Sequence, residues 1–109
     1  MTSPATILIV DDQEQNRQLI QALLVAQHYV TRTAANGEEA LASIADDPPD
    51  LILLEVMMPG VDGRHVARAV KANPDTSNIP IIMMTAQAAR EARLAALDAG
   101  AEDFLSRPC

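Results

Sequence analysis

The sequence predicts an α/β protein in which parallel strands alternate with helices. Apolar runs of strand length at 5–10, 51–55 and 79–84 are separated by segments whose apolar residues recur three and four positions apart. The runs at 51–55 and 79–84 are almost entirely apolar, as expected of strands covered on both faces. Right-handed crossovers would place helices on both faces of such a sheet. A chain of 109 residues fits one domain.

The first strand and helix are predicted at 5–10 and 14–27. The helix should bury one face, because its apolar residues follow the i, i+3, i+4 spacing. That expected inward face consists of Leu19, Ile20, Leu23 and Leu24. A second, weaker strand is predicted over 29–34, where β-branched residues favour extended backbone.

The second helix is predicted to begin at Asn36. Asn36 is a favourable N-cap residue, and Glu39 follows it at the spacing of a capping box. Ala40, Leu41 and Ile44 are the expected inward residues of this helix. It should stop before Pro48, and 51–55 forms the third strand.

The second half of the chain repeats the alternation. Asp62 or Gly63 should open a third helix through about Ala72, with Val66 and Val70 facing inward. The fourth strand is predicted over 79–84, with Pro80 near its start, where a missing N–H is tolerated.

The last predicted elements are a helix and a short strand. An alanine-rich helix is expected over 88–99, followed by Gly100 at the C′ position. A fifth strand is expected over 102–105.

Composition narrows the function classes. The net charge of −7, without a Lys/Arg cluster in the sequence, argues against a nucleic-acid surface. No apolar run approaches the roughly 20 residues of a membrane span, and no secretory signal is recognisable. The single cysteine, Cys109, cannot form an internal disulfide, so a cytoplasmic location is expected.

The candidate site consists of polar residues at the ends of the predicted strands. Asp11, Asp12, Glu55, Thr85 and Arg107 all follow or end such strands. Parallel strands end on one edge of their sheet, so these side chains should meet there. Carboxylates suit Mg²⁺, while a hydroxyl and a cation could grip phosphoryl oxygens. These residue types fit phosphoryl transfer to a carboxylate.

The order of these motifs resembles the receiver domain of two-component response regulators. The matching segments are IVDD at 9–12, NGEEAL at 36–41, DLILL at 50–54, MMPG at 57–60, DG at 62–63, IIMMTA at 81–86, AGA at 99–101, DF at 103–104 and RP at 107–108. They cover essentially the whole chain, 1–109, as one receiver domain. The resemblance implies a five-stranded parallel sheet in the order 2-1-3-4-5.

The resemblance also implies roles for the acidic residues. Asp11 and Asp12 would organise Mg²⁺, with the Met57 backbone carbonyl as a further ligand. Glu55 takes the position of the phosphoryl-accepting aspartate and would join the metal site. A histidine kinase or phosphotransfer protein would be the phosphoryl donor, and an output domain or effector protein the recipient of the signal.

The remaining roles concern switching. Thr85 would be the hydroxyl that moves toward the phosphoryl group, and Phe104 the aromatic residue whose rotamer follows it. Arg107 takes the position of the family's lysine, and its bond to Pro108 would be a cis peptide.

Glu55 departs from the family pattern by one methylene. The extension moves its carboxylate ~1.5 Å outward, and a displaced nucleophile can lose on the order of 100-fold in rate. Three interpretations stay open: an unphosphorylatable or phosphomimetic module, a laboratory Asp→Glu substitution, and a working glutamyl acceptor. Mg²⁺ binding is expected to be weakened.

Other departures concern Arg107, Arg64 and the end of the chain. An Arg107 guanidinium is not equivalent to a lysine ammonium and could pair with Glu55. Arg64 stands where the family commonly has an apolar residue, so it is either surface variation or a partner contact. The sequence stops where the family continues into a final helix, so we expect that helix to be absent and a homodimer to be possible through the uncovered sheet face.

An enzyme of another class is the alternative. A Mg²⁺-dependent phosphohydrolase needs an acid/base carboxylate near its nucleophile. The position two residues after Glu55 would have to supply it, but Met57 stands there and carries no carboxylate. A flavin-binding module is disfavoured, because the first strand leads into acids rather than a hydroxyl-rich phosphate loop. The signalling module is therefore favoured over an enzyme.

Overall fold

The computed structural model of the chain describes residues 4–85, 99–101 and 103–106, with only the backbone described for 85 and 103–106. Its elements are β1 (Thr6–Val10), α1 (Glu14–Ala26), β2 (Val30–Ala34), α2 (Gly37–Asp46), β3 (Leu51–Glu55), α3 (Gly63–Ala72), β4 (Ile81–Thr85) and β5 (Asp103–Ser106). The helix predicted over 88–99 lies almost entirely outside the described residues. Gly100, predicted to follow it, has a φ of 100°.

The strands form one parallel sheet in the order β2-β1-β3-β4-β5, as predicted. Val10 lies opposite Leu54, and Glu55 lies opposite Met84. The carboxyl ends of β1, β3 and β4 are therefore level with one another along one edge of the sheet.

Two apolar clusters cover the two faces of the sheet. The larger one contains Leu54 of β3 and Val66 of α3, together with residues of α2. The smaller one contains Leu53 of β3 and the partly buried Ile20 and Leu24 of α1. Neighbouring residues of β3 thus point to opposite faces, as the strand pleat requires, and both faces of β3 are buried.

Two of the four residues predicted to face inward from α1 are exposed, so that prediction is wrong for them. Leu19 and Leu23 are each 61% exposed, whereas Ile20 and Leu24 pack against the smaller cluster. Ile20 and Leu24 form one i, i+4 row, and Leu19 and Leu23 form the next row around the helix. Only the first row reaches the sheet, so α1 buries a narrower stripe than its sequence pattern predicts.

Several strand boundaries differ from the prediction by one or two residues, beginning with β1, which starts at Thr6 rather than at residue 5. β2 begins at Val30 because His28 has a φ of 69° and the Tyr29 N–H still donates to the Leu24 carbonyl at the end of α1. β4 begins at Ile81 because the Ile79 N–H donates to the Thr76 carbonyl in a preceding turn. β5 is shifted by one residue relative to the prediction.

The helix starts follow the capping residues that the sequence indicated. Asn36 Oδ1 accepts a hydrogen bond from the Glu39 N–H at 2.8 Å, and Asp62 Oδ1 accepts one from the His65 N–H at 3.0 Å. The Glu39 carboxylate accepts from the Ala35 N–H rather than from the N-cap N–H of the standard capping box. Of the helices described, none has the length and apolar character needed to cross a membrane.

Candidate functional site

Three of the predicted site residues stand at one edge of the sheet. Asp11 follows β1, Glu55 ends β3 and Thr85 ends β4. In open parallel sheets this edge is where ligands bind. The backbone positions of these residues therefore agree with the expected convergence.

Asp11 is completely buried and held at three points. Its N–H donates to the Ala34 carbonyl at 3.2 Å, and its Oδ1 accepts from the Gln13 N–H at 2.9 Å. Arg17 Nη1 donates to its carbonyl oxygen at 2.7 Å. The carboxylate thus stabilises the turn into α1, as aspartates commonly do.

Sequence reasoning did not find the contact of Arg17. The guanidinium reaches from the first turn of α1 back to the carbonyl of Asp11, six residues earlier in the chain. An arginine on a polar helix face carries no signal for such a contact, because solvent exposure of its head group is the usual outcome.

Glu55 is buried, with 6% of its surface exposed. The next residue, Val56, donates its N–H to the Met84 carbonyl at 3.0 Å, which extends the pairing with β4 beyond the strand end. Glu55, whose side chain is one methylene longer than that of aspartate, is thus enclosed within the domain at the end of the central strand of the sheet.

Two glycines bring the loop after β3 close to neighbouring backbone. A Cβ at Gly63 would collide with the carbonyl oxygen of Glu55, and a Cβ at Gly37 would collide with that of Val61. The Gly63 N–H also donates to the Val56 carbonyl at 3.0 Å. This fixes the loop that carries Met57, whose side chain is 53% exposed.

The expected magnesium ligands are only partly gathered. Asp11 and Glu55 are buried at adjacent strand ends, while Asp12 is exposed. Over the described parts of the chain, no three His, Cys, Asp or Glu side chains are grouped closely enough to hold a metal ion. Carboxylate and carbonyl oxygens are the donors that Mg²⁺ prefers, so the donor chemistry fits, and the set with the Met57 carbonyl stays a prediction.

The switch residues are described only in part. Thr85 pairs with Ser106 through the backbone of β4 and β5, and Phe104 pairs with Met83 in the same way. Arg107, its bond to Pro108, and the side chains of Thr85 and Phe104 lie outside what the structure describes. Their roles, including the pairing of Arg107 with Glu55, stay predictions.

An ion pair lies at the start of α3. Arg64 Nη2 lies 3.2 Å from Asp62 Oδ2. Burial acts to raise the pKa of Asp62, but hydrogen bonds from the His65 N–H and the Arg64 guanidinium, with the positive charge of Arg64, hold it below its usual value. Asp62 therefore favours its ionised form, in which it both caps α3 and orients Arg64.

Comparison with known proteins shows which family the chain resembles in sequence. The model of the response regulator receiver domain family matches residues 7–109. The response regulator PleD of Caulobacter vibrioides is 49% identical over 104 residues, which make up 95% of this chain and 23% of PleD. The chain thus spans about a quarter of the length of that relative.

Solved structures share the fold at high similarity. A putative response regulator from Chloroflexus aurantiacus has a TM-score of 0.94 and 40% identity, covering 97% of this chain and 87% of that one. The Mn²⁺-bound form of response regulator Rcp1 has a TM-score of 0.88 and 26% identity, covering 96% of this chain and 82% of that one. With its fold, its strand-end acids and these relatives, the chain belongs to the response regulator receiver domain family.

Proposed function

We propose that this chain is a phosphorelay receiver module whose signalling state is set by Glu55 rather than by phosphorylation of an aspartate. The observation that carries the proposal is the burial of Glu55, 6% exposed, at the carboxyl end of the central strand. The residue is enclosed by the domain instead of being turned out to solvent, which supports a role inside the site.

The chemistry of glutamate explains why phosphorylation would be impaired. Its additional methylene displaces the attacking oxygen, and a misplacement of this size can reduce the rate on the order of 100-fold. The same extension carries negative charge toward the place of a phosphoryl group. The mimicry is incomplete, because one carboxylate has a single charge whereas a phosphoryl group carries roughly −1.5 to −2.

Receiver domains generally bind Mg²⁺, and a relative has been solved with Mn²⁺ bound. In this chain Asp11, Asp12, Glu55 and the Met57 carbonyl would hold the ion. A bound Mg²⁺ neutralises negative charge on phosphoryl oxygens. A longer Glu55 would intrude on the ion's coordination shell, so we propose that affinity is lower than in a receiver with aspartate at this position.

Receiver domains exchange signals with histidine kinases and output domains. We propose that a histidine kinase or phosphotransfer protein addresses this module and that an attached or separate effector reads it. Thr85 and Phe104 would be the switch pair and Arg107 the cation near the acceptor. Only a difference in interaction energy between two conformations can shift their balance, and here Glu55 would supply it.

The test compares the chain with its Glu55→Asp and Glu55→Gln variants. Each protein is incubated with Mg²⁺ and a small phosphoryl donor, and its intact mass is measured. We expect a phosphoryl adduct on Glu55→Asp alone, because aspartate restores the reach of the nucleophile. Glu55→Gln is the matched control, since it keeps the length of Glu55 and removes its nucleophilic charge.

Two results would overturn parts of the proposal. An adduct on the unchanged chain that Glu55→Gln abolishes would identify a working glutamyl acceptor. If Glu55→Asp also forms no adduct, residue 55 is not what prevents phosphorylation. Another part of the site would then be responsible, and Arg107 would be the first residue to test.

A further inference from the structure

A three-residue turn, Asp11 to Gln13, joins β1 to α1 and carries two of the strand-end acids. The N-cap residue of α1 is Gln13, whose side chain makes no cap hydrogen bond within the part of the chain described. The first N–H groups of a helix have no partner inside the helix, so an uncapped start depends on other contacts to define its conformation. Here those contacts come from Asp11 and Arg17.

Asp11 is fixed from two sides, by the sheet and by Arg17. The Asp11 N–H donates to the Ala34 carbonyl on β2 at 3.2 Å, so the sheet fixes one side. Arg17 Nη1 donates to the Asp11 carbonyl oxygen at 2.7 Å and fixes the other side. The Asp11 carboxylate then accepts the Gln13 N–H at 2.9 Å within the same turn. Loss of the Arg17 contact would therefore loosen the peptide group between the buried Asp11 and the helix.

The position of Arg17 is unfavourable for cation binding if its charge alone is considered. Arg17 is the only Lys or Arg among residues 1–31, and it contacts a residue expected to bind Mg²⁺. Like charges repel, so a guanidinium near a cation site lowers the affinity for that cation. Arg17 is also partly buried, which limits the screening of its charge. A favourable role in the candidate site must therefore come from what the guanidinium holds in place.

We propose that Arg17 is a positioning residue for Asp11: its hydrogen bond to the Asp11 carbonyl holds the turn in the conformation from which Asp11 binds a divalent cation. This inference rests on the proposed function, in which Asp11 is a ligand of Mg²⁺. Groups that orient metal ligands without touching the metal typically contribute about 10- to 100-fold to metal affinity. Arg17 acts in this way and does not enter the chemistry of residue 55.

The direction of the effect separates positioning from charge. If the charge of Arg17 were its only contribution, Arg17→Met would bind divalent cations more tightly, because a repelling charge is removed. If positioning dominates, the same variant binds them more weakly, and we expect about a tenfold loss. In Arg17→Lys the affinity should stay within about threefold of the unchanged chain, because a contact of one donor with one carbonyl does not need the planar fork of arginine.

The experiment measures Mn²⁺ affinity by electron paramagnetic resonance, which reports the concentration of the free ion. It compares the unchanged chain with Arg17→Met, Arg17→Lys and the matched control Arg32→Met. Arg32 also donates to the backbone carbonyl of an aspartate, Asp47, but its contact joins β2 to the end of α2. Arg32→Met loses the same charge and the same kind of hydrogen bond, and its Mn²⁺ affinity should stay within about twofold of the unchanged chain.

A second measurement, made without metal, follows the turn itself. Hydrogen exchange of the Gln13 amide, read by NMR, reports how firmly its bond to the Asp11 carboxylate is held. We expect exchange about fivefold faster in Arg17→Met and unchanged in Arg32→Met. The amide of Leu54, in the central strand, is the reference for global stability, so that a generally destabilised variant is recognised.

Mn²⁺ affinity that is equal or higher in Arg17→Met than in the unchanged chain would overturn the inference. Unchanged exchange of the Gln13 amide in Arg17→Met, or an Arg17→Lys variant that binds as weakly as Arg17→Met, would do the same. A failure of the proposed metal site gives a different pattern, because Asp11→Asn would then bind Mn²⁺ as tightly as the unchanged chain. That result would overturn this inference together with the proposed function.

Discussion

Gly63, the first residue of α3, packs directly against the backbone of Glu55, the last residue of β3. A Cβ added at Gly63 would collide with the Glu55 carbonyl oxygen and would lie 2.9 Å from the Cα of Val56. The helix therefore begins as close to residue 55 as the two backbones permit. Its position depends on the absence of a side chain at residue 63.

A methyl group at this contact should destabilise the domain. We expect Gly63→Ala to lower the free energy of unfolding by about 2 kcal/mol, because overpacking against backbone outweighs the better helix propensity of alanine. Chemical denaturation followed by circular dichroism gives the value.

Gly60→Ala is the control, since Gly60 has a φ of 74° and a Cβ added there would meet no other atom within 4 Å. Its cost of about 1 kcal/mol would come from backbone conformation alone. A Gly63→Ala variant that is no less stable than Gly60→Ala would contradict the close contact.

The cap of α3 should make stability depend on pH. Burial acts to raise the pKa of Asp62, but hydrogen bonds from His65 N–H and Arg64, with the charge of Arg64, bring it below its ordinary value of 3.8. A carboxyl group with a lowered folded pKa stabilises the fold above its unfolded pKa, and this contribution is lost as pH falls through the folded pKa.

Asp62→Asn isolates the charge, because asparagine is also a good N-cap residue. We expect the unchanged chain to be more stable than this variant above about pH 5, with a difference that shrinks below about pH 4. Urea denaturation of both proteins across this range measures the difference. A difference that is independent of pH would show that the ionised state of Asp62 is not the source of its effect.

Adjacent leucines of α1 should respond differently to truncation. Leu24 packs against the smaller apolar cluster, whereas Leu23 is 61% exposed. We expect Leu24→Ala to cost about 2 kcal/mol and Leu23→Ala less than about 0.5 kcal/mol. Thermal and chemical denaturation of the two variants provide the comparison. Equal losses would mean that Leu23 is buried in solution by a contact that the fold described above does not include.

The order of the strands and helices could be predicted from local signals in the sequence. Unbroken apolar runs indicated β3 and β4, and Asn36 and Asp62 indicated the starts of α2 and α3. The starts of β2 and β4 were less predictable, because they depend on preceding turns such as the one made by Ile79 and Thr76. The burial of α1 was overestimated, since apolar periodicity shows which residues could face a core and not how wide the covered stripe is.

For the candidate site, the sequence predicted where the backbone of Asp11 and Glu55 lies, but not the contacts of the side chains. Asp11 and Glu55 lie where the strand ends required, because parallel strands share one direction. The exposure of Asp12 and the contact of Arg17 with Asp11 depend on the turn into α1, which no residue pattern specifies. The close approach of Gly63 to Glu55 had one possible signal in the sequence, a glycine at the expected start of a helix.

The difference in size between the two apolar clusters has a consequence for the outer surface of α1. Among the residues that the structure describes, the larger apolar cluster contains sixteen buried residues and the cluster beneath α1 contains four. Mutations that alter the outer surface of α1, including Leu19 and Leu23, leave the main core untouched. Substitutions at Leu19 and Leu23 can therefore change the polarity of that helix surface without removing a contact from either apolar cluster.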